Sequence, residues 1–163
     1  MKKLTMLTLV ALVASLFVGP AMQASSPTYS VNLDPPNTAM DSSGNTIRVT
    51  GAGNFDPAAA TVVASGSFTQ FGAGGAVVAR GTWSATQFVS FVSFGGPHPG
   101  IFGGVLQLIV TLSPKGGPPQ TGVPMNVTCV VNAPPGYEEG TTVGDFTEKT
   151  GGTTLFHPNA SVR

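Results

Sequence analysis

Beyond residue 26, no stretch of this chain free of glycine and proline sustains a 3.6-residue apolar period built from helix formers. The chain carries 22 glycines and 14 prolines among 163 residues, about a fifth of the total and well above ordinary usage. Hydrophobic residues still make up 41%, which is too many for a disordered chain. What remains is a body of strands and turns, of a length that suits one domain.

The strand signals are frequent. Tyr29 to Leu33 alternates apolar and polar residues, and Thr46 to Thr50 is short and β-branched. Thr61 to Phe71, Ala76 to Ala85, Phe88 to Phe94, Val105 to Leu112 and Met125 to Val131 follow, with shorter candidates near Thr142–Phe146 and Thr153–Phe156. Turn chemistry separates them. Asn32 to Gly44 reads as a loop with Asp34-Pro35-Pro36-Asn37 at its centre. Gly72 to Gly75 sits at hairpin distance, while Gly95 to Gly104 and Ser113 to Pro124 read as longer loops. About seven to nine strands with such spacing predict an antiparallel β-sandwich, with a small β-barrel as the alternative. Phe88, Phe91 and Phe94 recur every three residues, as on a helical stripe. Val89, Val92 and two serines are poor helix formers and Gly95-Gly96-Pro97 ends the run, so a strand buried on both faces is expected there.

The first residues carry a different message. Lys2 and Lys3 precede an uncharged run from Leu4 to Val18, broken by Gly19-Pro20 and followed by small residues. That order predicts a secretory signal peptide over about residues 1–24, cleaved between 21 and 26, and a domain over 25–163. The apolar run is shorter than the roughly 20 residues of a spanning helix. A secreted or periplasmic, bacterial protein is expected, without an integral span after cleavage. Seven basic residues balance seven acidic ones, and loss of Lys2 and Lys3 leaves a net charge of −2. Nucleic acid is therefore not an expected partner. Only 9% of residues are charged, so Ser, Thr, Asn and Gln must cover the polar faces. Strand edges are then guarded by Pro and Gly or used for self-association.

The residues able to carry chemistry are few. Cys129, the single cysteine, is in phase with Val127 and Val131 and reads as a core position, with an intermolecular disulfide as the other option. His98 and His157 each precede a proline and lie in extended or turn segments. Asp145 and Glu148, with His157, form the candidate metal set, calcium being the ion that suits the carboxylates. Glu138 and Glu139 belong to the same acidic segment, which reads otherwise as a solvated turn. Trp83, with Arg80 and Phe102, forms the candidate ligand set. Alternation puts Trp83 on the face of Val77 and opposite Arg80. An exposed tryptophan there would stack on a sugar ring, whereas an inward one would be core.

No serine-hydrolase elbow, zinc-ligand spacing or phosphate loop occurs in the sequence. The expected role is thus non-enzymatic: an exported binding or structural domain of the envelope or extracellular space, without a required cofactor. The ligand would be a glycan, an apolar molecule or a second copy. The alternatives are a small barrel enclosing an apolar ligand and a hydrolase built on the late carboxylates.

Overall fold

The computed structural model describes residues 27–98 and 100–159, and the expected signal peptide over residues 1–24 with its expected cleavage window lies outside them. The side chain of His98 is likewise outside. The described chain is all-β. It forms ten strands in one antiparallel sheet: β1 (Tyr29–Asn32), β2 (Asn37–Met40), β3 (Thr46–Asp56), β4 (Thr61–Phe71), β5 (Val77–His98), β6 (Ile101–Pro114), β7 (Gln120–Cys129), β8 (Gly140–Val143), β9 (Glu148–Gly151) and β10 (Leu155–Pro158).

The long strands β3 to β7 form a meander, each paired to the next. The short strands close it. β1 pairs with the later half of β3 on one side and with β10 on the other. β10 in turn reaches β6 at Phe156 and Phe102. Hydrogen-bonded pairing therefore runs in a circuit through β1, β3, β4, β5, β6 and β10. β2 pairs with the first part of β3 and with β9, and β8 pairs with β7.

Two strands lie where the sequence reads as turn or loop. β2 falls within the expected Asn32–Gly44 loop, because Asn37 to Met40 has its ladder supplied by β3 and β9 rather than by its own propensity. β9 is similarly short and polar and is held by β2. The expected Gly95–Gly104 loop is instead a tight hairpin, with His98 opposite Ile101. The two segments Ala76–Ala85 and Phe88–Phe94 are one strand of 22 residues.

Within that strand the three-residue phenylalanine spacing has a different cause from the one expected. β5 is not buried on both faces, since Val89 and Val92 are about half exposed. Ala85 faces Val110, Phe88 faces Leu108 and Phe91 faces Leu106. Thr86 and Val89 have no opposite residue. Each is the extra residue of a β-bulge. One bulge per step turns the two-residue period of β6 into a three-residue period on β5, so both phenylalanines stay inward.

The core is aliphatic at one end and aromatic at the other. Leu106, Leu108, Val110, Met125, Val127, Ile47 and Val49 are buried. Tyr29, Phe55, Phe91, Phe102 and Phe156 form a cluster of rings with centroids 4.9–5.9 Å apart. Such offset and edge contacts add about 0.5–1.5 kcal/mol per pair beyond area burial.

Trp83 occupies the join between β3, β4 and β5. Gly51, Gly66 and Trp83 stand in one cross-strand row. The two glycines leave a slot in which the indole lies against backbone. Its N–H donates to the Thr50 carbonyl at 2.8 Å. A Cβ on Gly66 would meet the Thr50 carbonyl and stand 2.7 Å from Trp83 Nε1. The expected effect of Gly66→Ala is a loss of about 1–3 kcal/mol. Gly74, where a Cβ meets nothing within 4 Å, is the control, with Gly74→Ala within about 0.5 kcal/mol of the parent. Urea unfolding of both variants checks this.

Candidate functional site

The outer face of β3–β6 follows from alternation and register. β3 presents Arg48, Thr50 and Ala52 outward, and β4 presents Thr69, Ser67 and Ser65. β5 presents Arg80, Thr82 and Ser84, and β6 presents Ser113 and Thr111. Pairing lines these up across the strands. One row is Thr50, Ser67, Thr82 and Ser113. The next is Ala52, Ser65, Ser84 and Thr111. The Thr50 and Ser67 hydroxyls are 2.9 Å apart and hydrogen-bonded.

Beside the hydroxyl rows runs a cationic one. Arg48 is opposite Thr69, and Thr69 is opposite Arg80. The Lys115 amide donates to the Arg80 carbonyl at 2.8 Å, which brings Lys115 to the end of the row. The Arg48 guanidinium lies 5.5 Å from the centre of the Phe71 ring. Arg48, Arg80 and Lys115 are all exposed. Two adjoining open grooves meet at Arg80 and Lys115. The larger, about 480 Å³, is lined by Ser67, Thr69, Arg80, Thr82, Ser113 and Lys115 with neighbouring backbone. The smaller, about 370 Å³, adds Val77 and Val78.

The other ligand candidates lie elsewhere. Trp83 is 2% exposed and offers no free ring face to a ligand. It does not share a face with Val77, which is 46% exposed. A bulge at Val78 between the pairs Phe71–Val77 and Gln70–Ala79 shifts the phase. Phe102 is half-buried and packs edge-on against Tyr29 at 5.8 Å. Of the three, Arg80 alone stands on an open groove.

The metal candidates are separated. Asp145 and Glu148 are exposed around the β8–β9 turn. Glu148 pairs with Met40 at the end of β2, whereas His157 pairs with Ser30 in β1. His157 Nδ1 is hydrogen-bonded to the Gly100 carbonyl, tying β10 to the β5–β6 hairpin. Among the described residues no group of three or more His, Cys, Asp or Glu side chains is placed to hold a metal ion.

Glu139 and Lys149 brace the fold. Glu139 accepts the Val130 amide at 2.7 Å and the Thr154 amide at 2.6 Å, clamping the end of β7 to the approach of β10. Lys149 donates to Thr128 Oγ1 at 2.8 Å and to the Glu138 carbonyl at 2.7 Å. Burial lowers the Lys149 pKa from its ordinary value, against the opposing pull of Glu138 and Glu139. Asn37, fully buried, donates to the Thr153 carbonyl at 3.0 Å and accepts from Thr154 Oγ1 at 3.3 Å.

Cys129 is 1% exposed within β7, as its phase requires, which leaves no surface sulfur for an intermolecular bridge. Burial raises its thiol pKa above the ordinary 9.0.

Comparison with protein families, with curated proteins and with solved structures finds no match to this chain.

Two outcomes follow from the braces. Glu139→Ala strips both backbone amides of their acceptor and is expected to cost about 1–3 kcal/mol, read from urea midpoints. For Cys129, the unfolded thiol ionises before the folded one. Its contribution to stability is therefore intact below pH 9 and falls as pH rises beyond it. Cys129→Ala should flatten that alkaline fall in a pH series of thermal melts.

Proposed function

We propose that this chain is an exported, non-enzymatic β-domain whose role is binding, and that its ligand is a polysaccharide of the envelope or extracellular space. The carrying observation is the register of the outer face, which assembles separate polar triplets into ordered rows of hydroxyls. Each serine or threonine hydroxyl both donates and accepts hydrogen bonds, as sugar hydroxyls do. Rows in a sheet repeat at about 4.8 Å across strands and about 6.8 Å along them. A scaffold with that repeat holds its polar groups before the ligand arrives and so lowers the ordering cost of binding.

The grooves support the same face. They are open and shallow, which suits an extended chain passing over the sheet. Phe71 and Val77 border the cationic row and offer apolar contact to the flat side of a sugar ring. The interior is occupied by packed aliphatic and aromatic side chains, which favours the outer face over the inside as the ligand's seat. The Lys2-Lys3 start and the apolar run after it support export to the compartment where such polymers lie.

Affinity electrophoresis of the purified protein through gels containing different polysaccharides tests the reading. At least one should retard it. The double variant Ser67→Ala/Thr82→Val should bind roughly thirtyfold more weakly, at about 1 kcal/mol per lost hydrogen bond, with a melting temperature within a few degrees of the parent's. Asp145→Ala, outside the hydroxyl rows and both grooves, should bind as the parent does. Retardation by no polysaccharide, or equal affinity in the double variant, would overturn the proposal.

A further inference from the structure

We infer that the row of Arg48, Arg80 and Lys115 makes this face selective for an acidic polysaccharide, one carrying carboxylate or sulfate groups along its length. The inference rests on the binding role proposed above and names its ligand class.

The charge distribution carries it. The described residues include four basic side chains, Arg48, Arg80, Lys115 and Lys149. Three of them stand in one cross-strand row on one face. The fourth is committed to Thr128 and Glu138 elsewhere. In a chain with equal numbers of basic and acidic residues, that is a segregation of charge. Of the seven acidic residues, Glu138, Glu139, Asp145 and Glu148 fall between the end of β7 and the start of β9, while Asp34 and Asp41 flank β2 and Asp56 ends β3. Neither groove at Arg80 is lined by an acidic side chain.

The geometry suits a repeating anion. Arg48 and Arg80 are separated by one intervening strand, hence by about 10 Å of backbone, and Lys115 follows at about one strand spacing more. These distances are comparable to the screening length of about 8–10 Å at 0.1–0.15 M salt, so a polymer laid across the strands feels the three charges together. A guanidinium presents two parallel N–H donors to a carboxylate or sulfate, and the neighbouring Thr69, Ser67 and Thr82 hydroxyls supply further donors. The Phe71 ring beneath Arg48 orients its guanidinium over the face. The Lys115 amide bound to the Arg80 carbonyl holds the two chain segments in fixed relation.

The test compares three polysaccharides by titration calorimetry: a polyuronate, a sulfated glycan and a neutral glucan. Protein is purified after expression of the full 163-residue chain. The expected result is at least one acidic polymer bound about tenfold or more tighter than the neutral one, with affinity falling as salt rises. The polyuronate and sulfated arms identify which anion is preferred. Arg80→Ala should cut affinity for the preferred acidic polymer about tenfold and affinity for the neutral glucan by less, narrowing the preference, with the melting temperature unchanged. Arg80→Lys should restore only part of the preference, because an ammonium cannot form the two-pronged contact. Equal affinity for neutral and acidic polymers would overturn this inference and leave the binding role standing. Binding of none would overturn both. Binding to anionic phospholipid vesicles, with no acidic polysaccharide bound, would overturn it in favour of a membrane surface.

Discussion

The fold depends on one packing arrangement, the indole of Trp83 laid across the backbones of Gly51 and Gly66. Both sides of that contact are tightly constrained. A side chain on either glycine would collide with the ring or with the facing strand. A ring without an N–H would leave the Thr50 carbonyl without the donor it has here. The contact therefore fixes β3, β4 and β5 against one another in one register. A slip by one residue would send the inward set outward along a whole strand. The outer rows inherit that constraint. Thr50, Ser67 and Thr82 each neighbour the residues of the Trp83 row and point the opposite way, so their alignment is a consequence of the tryptophan's seat.

The bulges of β5 serve packing and solubility together. Beyond Ser84 this strand has no β4 partner, because the pairing of the two ends at Ser65 and Ser84. The free edge of Ala85 to Phe94 is uncharged and carries the exposed Val89 and Val92. Such an edge would ordinarily recruit another strand. Extra residues at Thr86 and Val89 break the even ladder that an incoming strand would need. The chain thus guards an uncharged edge by irregular geometry, in place of the lysines that its composition lacks.

The all-β class and most of the long strands were legible in the sequence, because alternation and Gly/Pro punctuation are local signals. β4 is found over the residues that the sequence predicts, Thr61–Phe71. The short strands β2 and β9 were not legible, since their ladders are supplied by distant partners. The bulge count was half legible. A phenylalanine every three residues is a visible anomaly, but only the two-residue period of β6 opposite it reveals the cause. For the site, Arg80 was visible as a lone charge beside Trp83. Arg48 and Lys115 were not connected to it, because rows exist only once the register is known. A signal was nevertheless present. Arg48-x-Thr50, Ser65-x-Ser67-x-Thr69, Arg80-x-Thr82-x-Ser84 and Thr111-x-Ser113-x-Lys115 are polar triplets or pairs in phase. Their order reverses from strand to strand, as antiparallel pairing requires for alignment.

The uses to which the few charges are put separate the two faces of the problem. Asp41 is hydrogen-bonded by Ser43 and Asn45 in the β2–β3 turn, which holds its carboxyl below the ordinary range. Asp56 caps the β3–β4 turn through the amides of Ala58 and Ala59. Glu139 clamps β7 to β10, and Lys149 secures the buried Thr128. Each of these charges closes a local gap in backbone or buried hydrogen bonding, where a neutral group would do less. Arg48, Arg80 and Lys115 close no such gap with their side chains. Their backbone positions are set by the ladder; Arg80 and Lys115 line the open grooves, and Arg48 lies over the Phe71 ring at the end of the same row. In a chain this sparing of charge, three cations stand in one row beside rows of aligned hydroxyls, and that arrangement is what the proposed binding role draws on.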